Sequence, residues 1–170
     1  MPELNILYPK IVDLEKCPEI CSVKQVIVTE KIHGKNMRVI IPPRCSDPSQ
    51  IIIGGREVTE QDPSYGLGSE TLFLRKTLPL SSIVEHFKNE NITYVIYGEI
   101  CGIGVQKGMK YSDKKEFRVF DISMAEYLLD FSEVVRICQE IGLKTVPVLY
   151  EGEPGVDIFN QFINVPSAFA

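Results

Sequence analysis

The chain has 170 residues, 44% of them hydrophobic, and a formal charge of −5 from 18 basic and 23 acidic side chains. That is enough apolar material for one sizeable core, and a single domain over residues 1–170 is expected. A global basic field is excluded, so any contact with nucleic acid must be made by a local patch. No run of about 18 apolar residues is present to span a membrane. The start, Met1-Pro2-Glu3-Leu4, lacks the basic-then-apolar order of a secretory signal. Five cysteines (Cys17, Cys21, Cys45, Cys101, Cys138) are odd in number and scattered, and the Cys17/Cys21 pair has no second pair or nearby histidine to complete a zinc site. A reducing intracellular compartment, cytoplasm or nucleus, is the simplest expectation.

Residues 1–25 mix charges with Pro2, Pro9 and Pro18 and predict an irregular lead-in. Val26–Thr29 and residues 37–41 are β-type runs around a polar stretch with Gly34, which predicts a hairpin carrying Lys31. Residues 51–53, three isoleucines before Gly54-Gly55, predict a short strand with Arg56 directly behind it. Residues 60–69 carry the punctuation of a loop. Leu80, Ile83, Val84 and Phe87 repeat at helical spacing, with Ser82 and Glu85 matching a capping box. Tyr94–Cys101 predicts a buried strand with Val95, Tyr97, Glu99 and Cys101 on one side. Residues 117–122 predict another, with Arg118, Phe120 and Ile122 sharing a face and Asp121 pointing away from Phe120. A helix capped by Asp130 and stopped by Gly142 follows, then a strand over residues 145–150 and a short helix around Ile158 and Phe162. The order argues for an α+β fold with a largely antiparallel sheet and flanking helices.

Lys31 beside a turn would ordinarily be a solvated surface lysine. Its setting, Glu-Lys-Ile-His-Gly-Lys-Asn at residues 30–36, resembles the nucleotidyl-lysine motif of the RNA-ligase branch of covalent nucleotidyltransferases. DNA ligases and mRNA capping enzymes, other branches of that superfamily, usually carry Asp where this chain has His33. Further motifs follow in order. They are Arg56 after Gly-Gly, Glu99 in Tyr-Gly-Glu-Ile-Cys-Gly-Ile-Gly-Val-Gln-Lys, and Phe120-Asp121 in Phe-Arg-Val-Phe-Asp-Ile. Over residues 26–122 the chain is similar to bacteriophage double-strand-repair RNA ligases and trypanosome editing ligases. One motif would be weak evidence; the ordered set is strong.

The resemblance implies a nucleotidyltransferase fold and an RNA-repair ligase that draws AMP from ATP with Mg²⁺. It also implies a lysyl-AMP on Lys31 and the sealing of 5′-phosphate to 3′-hydroxyl RNA ends. An attacking amine must be neutral, and free lysine titrates at about 10.4, so lowering it to about 7 takes on the order of 4–5 kcal/mol. Lys35 and Arg56 are candidate cations for that task. By the same resemblance Glu99 accepts a ribose hydroxyl and Phe120 stacks on the purine, with Phe117 as the alternative. His33 and Asn36 orient phosphate or the RNA end, Arg56 contacts the nucleotide phosphate or that end, and Asp121 orients neighbouring side chains. Glu30 and Gly34 belong to the same nucleotide-binding set; no metal ligand is named. Each residue has a plainer alternative: an exposed Arg56, a structural Glu99, a core Phe120, loop glycines at Gly102 and Gly104.

Two motifs of such enzymes are missing. Glu151-Gly152-Glu153-Pro154 is a poor form of the Glu-Gly strand, because Pro154 breaks it. No Lys-x-Lys follows residue 122. The sequence is therefore expected to be a domain incomplete at its C-terminus, weakly active or inactive, prone to self-association through an exposed sheet edge. Lys107 or Lys110 would be the substitutes for the absent lysine pair. A non-catalytic nucleotide- or RNA-binding module derived from a ligase is the alternative.

Overall fold

Strand Tyr94–Cys101 is the centre of the molecule, and its composition explains why. Seven of its eight residues are buried, so it needs cover on both faces and a partner on both edges. The computed structural model describes residues 7–62, 68–106, 111–163 and 165–168. In it the strands are β1 (Val26–Thr29), β2 (Lys35–Ile41), β3 (Ile52–Gly54), β4 (Tyr94–Cys101), β5 (Glu116–Met124), β6 (Tyr127–Leu128), β7 (Lys144–Thr145) and β8 (Val148–Gly152). The helices are α1 (Ser69–Thr77), α2 (Leu80–Phe87), α3 (Phe131–Ile141) and α4 (Val156–Asn160). The main sheet runs β3-β2-β4-β5-β6, with β7 also on β5. Its pairings are antiparallel except β5 with β7. The expected α+β fold with a largely antiparallel sheet and flanking helices is what the chain forms.

The hairpin around Lys31 is not. β1 pairs with β8 in a separate two-stranded sheet, whereas β2 joins the main sheet between β3 and β4. Lys31 lies on the crossover between the two sheets. Local pattern reported two strands and a turn correctly, but strand partners are set by what each face can bury.

One face of the main sheet is dry. Met37, Val39 and Ile41 of β2, Ile96 and Ile100 of β4, and Val119 and Ile122 of β5 pack there against the apolar stripes of α1, α2 and α3. Each such side chain contributes about 1.5–3 kcal/mol when fully buried. The opposite face carries Asn36, Glu99, Tyr97 and Asp121; Ile40, Val95 and Tyr97 form a second buried cluster there under Tyr8, Ile52 and Phe120, and the face opens towards Asn36 and Glu99.

The slip in register at its middle matters. Tyr97 faces Asp121 but Gly98 faces Val119, so Phe120 is the extra residue of a β-bulge. Phe120 and Asp121 consequently both reach Tyr8, while Ile122 falls on the helix-covered face. This corrects the expectation that Arg118, Phe120 and Ile122 share a face with Asp121 opposed.

Smaller departures have local causes. The lead-in holds two short 3-10 helices, Leu14–Lys16 and Pro18–Ser22. α1, unforeseen, begins where the loop over residues 60–69 was expected to end. α2 starts at Leu80 behind Pro79 with no side-chain cap bond, so Ser82 and Glu85 form no capping box. Asp130 precedes α3 without a side-chain cap bond, and Gly142 ends it in the left-handed conformation. The strand expected over residues 145–150 is divided at Pro147, which cannot donate to a ladder, into β7 and β8. No helix among the described residues is long and apolar enough to cross a membrane.

Candidate active site

Lys31 is exposed at the edge of the open face, and the residues around it are held individually. The Glu30 N–H donates to the Pro147 carbonyl at 2.9 Å. Ile32, only 6% exposed, inserts into a small apolar cluster with Cys101, Tyr111 and Val146. The His33 N–H donates to the Tyr111 hydroxyl at 2.9 Å, and the Gly34 N–H donates to Glu99 Oε1 at 3.0 Å. The Gly34 carbonyl accepts from Gln106 Nε2 at 2.9 Å. A Cβ at residue 34 would stand 2.1 Å from the Ile100 carbonyl oxygen, so only glycine lets the loop lie this close to β4.

Glu99 is the hub. It faces Asn36 across the β2–β4 ladder and accepts a hydrogen bond from that side chain as well as from Gly34. Burial raises its pKa, and these two donors with the charges of His33 and Lys31 pull it partly back. Lys31, His33, Gly34, Asn36 and Glu99 are thereby brought together around one carboxylate.

Phe120 and Asp121 stand further along the same face. Asp121 lies opposite Tyr97, and Tyr8 from the N-terminal segment packs edge-on against Phe120 and Tyr97 at centroid distances of 5.0 and 5.1 Å. The Tyr8 hydroxyl donates to Asp121 Oδ2. Burial raises the Asp121 pKa, and the Tyr8 bond opposes that rise. The Tyr8 phenol is pushed well above its usual range by burial and by the neighbouring carboxylate. Phe117 packs in the dry core at 8% exposure beneath Gly98, which leaves Phe120 as the aromatic on the open face.

The other candidates stand apart from this group or have partners of their own. Lys35 pairs its ammonium with Glu70 of α1. Arg56 sits exposed in a turn closed by the Gly55 N–H to the Val58 carbonyl at 2.9 Å, and no hydrogen bond joins it to the other candidates among the described residues. Gly102 has a positive φ and packs against the Lys114 carbonyl, a structural need. Lys107 and Lys110 lie outside the described residues, as do residues 63–67 of the expected loop. Glu30 spends its carboxylate on Ser167 and on the Ala168 N–H, the latter at 3.0 Å.

Tyr8, Gln106, Tyr111 and Ser167 were not legible as site neighbours. Gln106 lies inside the quoted Glu99 motif, but nothing in its type marks it. The others are brought in from distant segments.

A family model described as RNA ligase matches residues 24–165. The chain belongs to the RNA ligase family. Solved structures agree on the fold of this ligase-family chain. An apo mutant of Naegleria gruberi RNA ligase superposes with a TM-score of 0.73 at 18% identity, over 98% of this chain and 49% of that one. A mutant of the same enzyme with AMP and Mn gives 0.72 at 19% identity, over 98% and 50%. An archaeal ATP-dependent RNA ligase gives 0.64 at 22% identity, over 85% and 37%. The chain thus spans about half the length, or less, of these solved ligases.

Proposed function

We propose that residues 1–170 form the lysine-bearing adenylyltransferase unit of an ATP-dependent RNA ligase. The observation that carries this reading is an exposed Lys31 beside a half-buried Glu99 that holds the next loop by the Gly34 amide. The neutral Lys31 Nζ attacks the α-phosphorus of ATP, an N–P bond forms, and the bond to the β-phosphate oxygen breaks to release pyrophosphate. AMP then passes to a 5′-phosphate RNA end, and a 3′-hydroxyl displaces it as the strand is sealed.

Glu99 supplies an acceptor for a ribose hydroxyl, and Phe120 offers its ring to adenine. Asp121 with Tyr8 fixes the edge of that ring. His33, Asn36 and the unengaged Arg56 are the groups for phosphate or the RNA end. The solved relatives include complexes described with ATP and Mn, with AMP and Mn, and with pyrophosphate, which support nucleotide chemistry on this fold. Among the described residues no group of three His, Cys, Asp or Glu could hold a metal ion. A protein-built cage does not fit, and Mg²⁺ is assigned to the triphosphate it accompanies as substrate. The five free thiols suit a reducing intracellular setting.

β8 ends at Gly152, short of Pro154, and no Lys-x-Lys follows residue 122. The second reading is a non-catalytic nucleotide- or RNA-binding module that uses the same pocket. Among the described residues β1 and β8 pair only with each other, and their outer edges are the places where copies would pair. Incubation with labelled ATP and Mg²⁺ separates the readings: covalent label supports the ligase unit, and binding without label supports the module. Sedimentation of the same sample tests self-association.

A further inference from the structure

The residues on either side of Lys31 are fixed by side chains and carbonyls from other segments, and one side chain does so twice. Tyr111 shares a buried cluster with Ile32, the residue directly after Lys31, and its hydroxyl accepts from the N–H of His33, the residue after that. The ring is 7% exposed and arrives from 78 positions away. We infer that Tyr111 is a positioning residue, whose hydroxyl fixes the turn after Lys31 and so aims the Lys31 amine at its electrophile without touching the nucleotide. This rests on the reading in which Lys31 carries the adduct.

The physical case is one of reach. A lysine amine stands at the end of four rotatable bonds, so its placement is only as good as that of the backbone it starts from. Ile32 sets the depth of that backbone and the Tyr111 hydroxyl sets its rotation. Displacement of a reacting group by about 1 Å costs on the order of 10²-fold in rate. Phe120 packs against the cluster that holds the Tyr111 ring, so ATP binding depends on that ring, whereas the hydroxyl acts on the backbone after Lys31.

The test is Tyr111→Phe, which keeps the ring and removes the hydroxyl that accepts from His33. Lysyl-AMP formation is followed on the 170-residue chain with labelled ATP and Mg²⁺ across a range of ATP concentrations. The maximal rate is expected to fall between about 10- and 100-fold while half-saturation stays within about threefold. The melting temperature should drop by no more than about 4 °C. Hydrogen exchange at the His33 amide should quicken. An unchanged rate, or unchanged exchange, overturns the inference. A variant that loses half-saturation or fails to fold makes the hydroxyl a general support and overturns it as well. Failure of the unsubstituted chain to form any adduct overturns the ligase reading first, and the inference with it.

Discussion

The hydroxyl of Tyr8 is hydrogen-bonded to the carboxylate of Asp121 across 113 positions of chain. The same ring meets Phe120 edge-on, so the segment ahead of the first strand forms part of the wall around the open-face aromatic. Tyr8→Phe removes the bond and leaves Asp121 buried with its donor gone. Its melting temperature should fall by a few degrees, corresponding to about 1–3 kcal/mol. An unchanged thermal melt would show that the contact carries no net stability.

Lys31 is the residue expected to carry nucleotide. Intact mass after ATP and Mg²⁺ should show a single AMP adduct on the parent and none on Lys31→Ala. Label that persists in the variant would place the nucleophile elsewhere.

Phe120 and Phe117 should behave oppositely. Stacking on an aromatic is worth about 1–3 kcal/mol per base, so Phe120→Ala weakens ATP binding by about one to two decades, besides the stability lost with its contacts to Tyr8 and two buried clusters. Phe117→Ala opens the core and costs about 3–5 kcal/mol of stability. Calorimetric titration and denaturant melts on both variants check the contrast, and equal affinity in a folded Phe120→Ala protein contradicts the stacking role.

Glu99 predicts a pH signature. Burial raises its folded pKa above the ordinary value of 4.5. The folded state therefore holds the proton more tightly, and the stability this brings is full below that ordinary value and is lost as pH rises through the raised one. Glu99→Gln keeps an acceptor for the Gly34 amide with no charge to bury. Its melting temperature should exceed that of the parent by a margin that widens as pH rises above the ordinary carboxylate value, while ATP binding weakens. A margin independent of pH would mean that the carboxylate is not strained by its site.

Gly98 gives a packing test. A Cβ there would lie 2.4 Å from the Phe117 ring. Gly98→Ala should be strongly destabilised, and pairing it with Phe117→Leu should recover part of the loss. Two changes that simply add would place the conflict with the backbone rather than with the ring.

Much of the fold was legible because single-strand signals are local. The alternation in Tyr94–Cys101 fixed which side Glu99 shares with Tyr97, and Gly142 marked the end of α3 in the left-handed conformation it alone tolerates easily. Partner choice was not local. β1 and β2 look like a hairpin from residues 26–41, yet β1 pairs with β8, more than a hundred residues downstream. The bulge at Phe120 was equally invisible, since an extra residue is detected only against the opposite strand. Of the candidate site, Lys31, His33, Gly34, Asn36 and Glu99 lie around one carboxylate. Tyr8 and Tyr111 have no motif of their own and reach the site only through tertiary packing.

Because β1 and β2 belong to different sheets, the segment at Lys31 spans two ladders instead of closing a hairpin. Its two ends are tied to different partners, Glu30 to the Pro147 carbonyl and Gly34 to the Glu99 carboxylate. A packing change in either ladder is therefore felt at the same residue, Lys31.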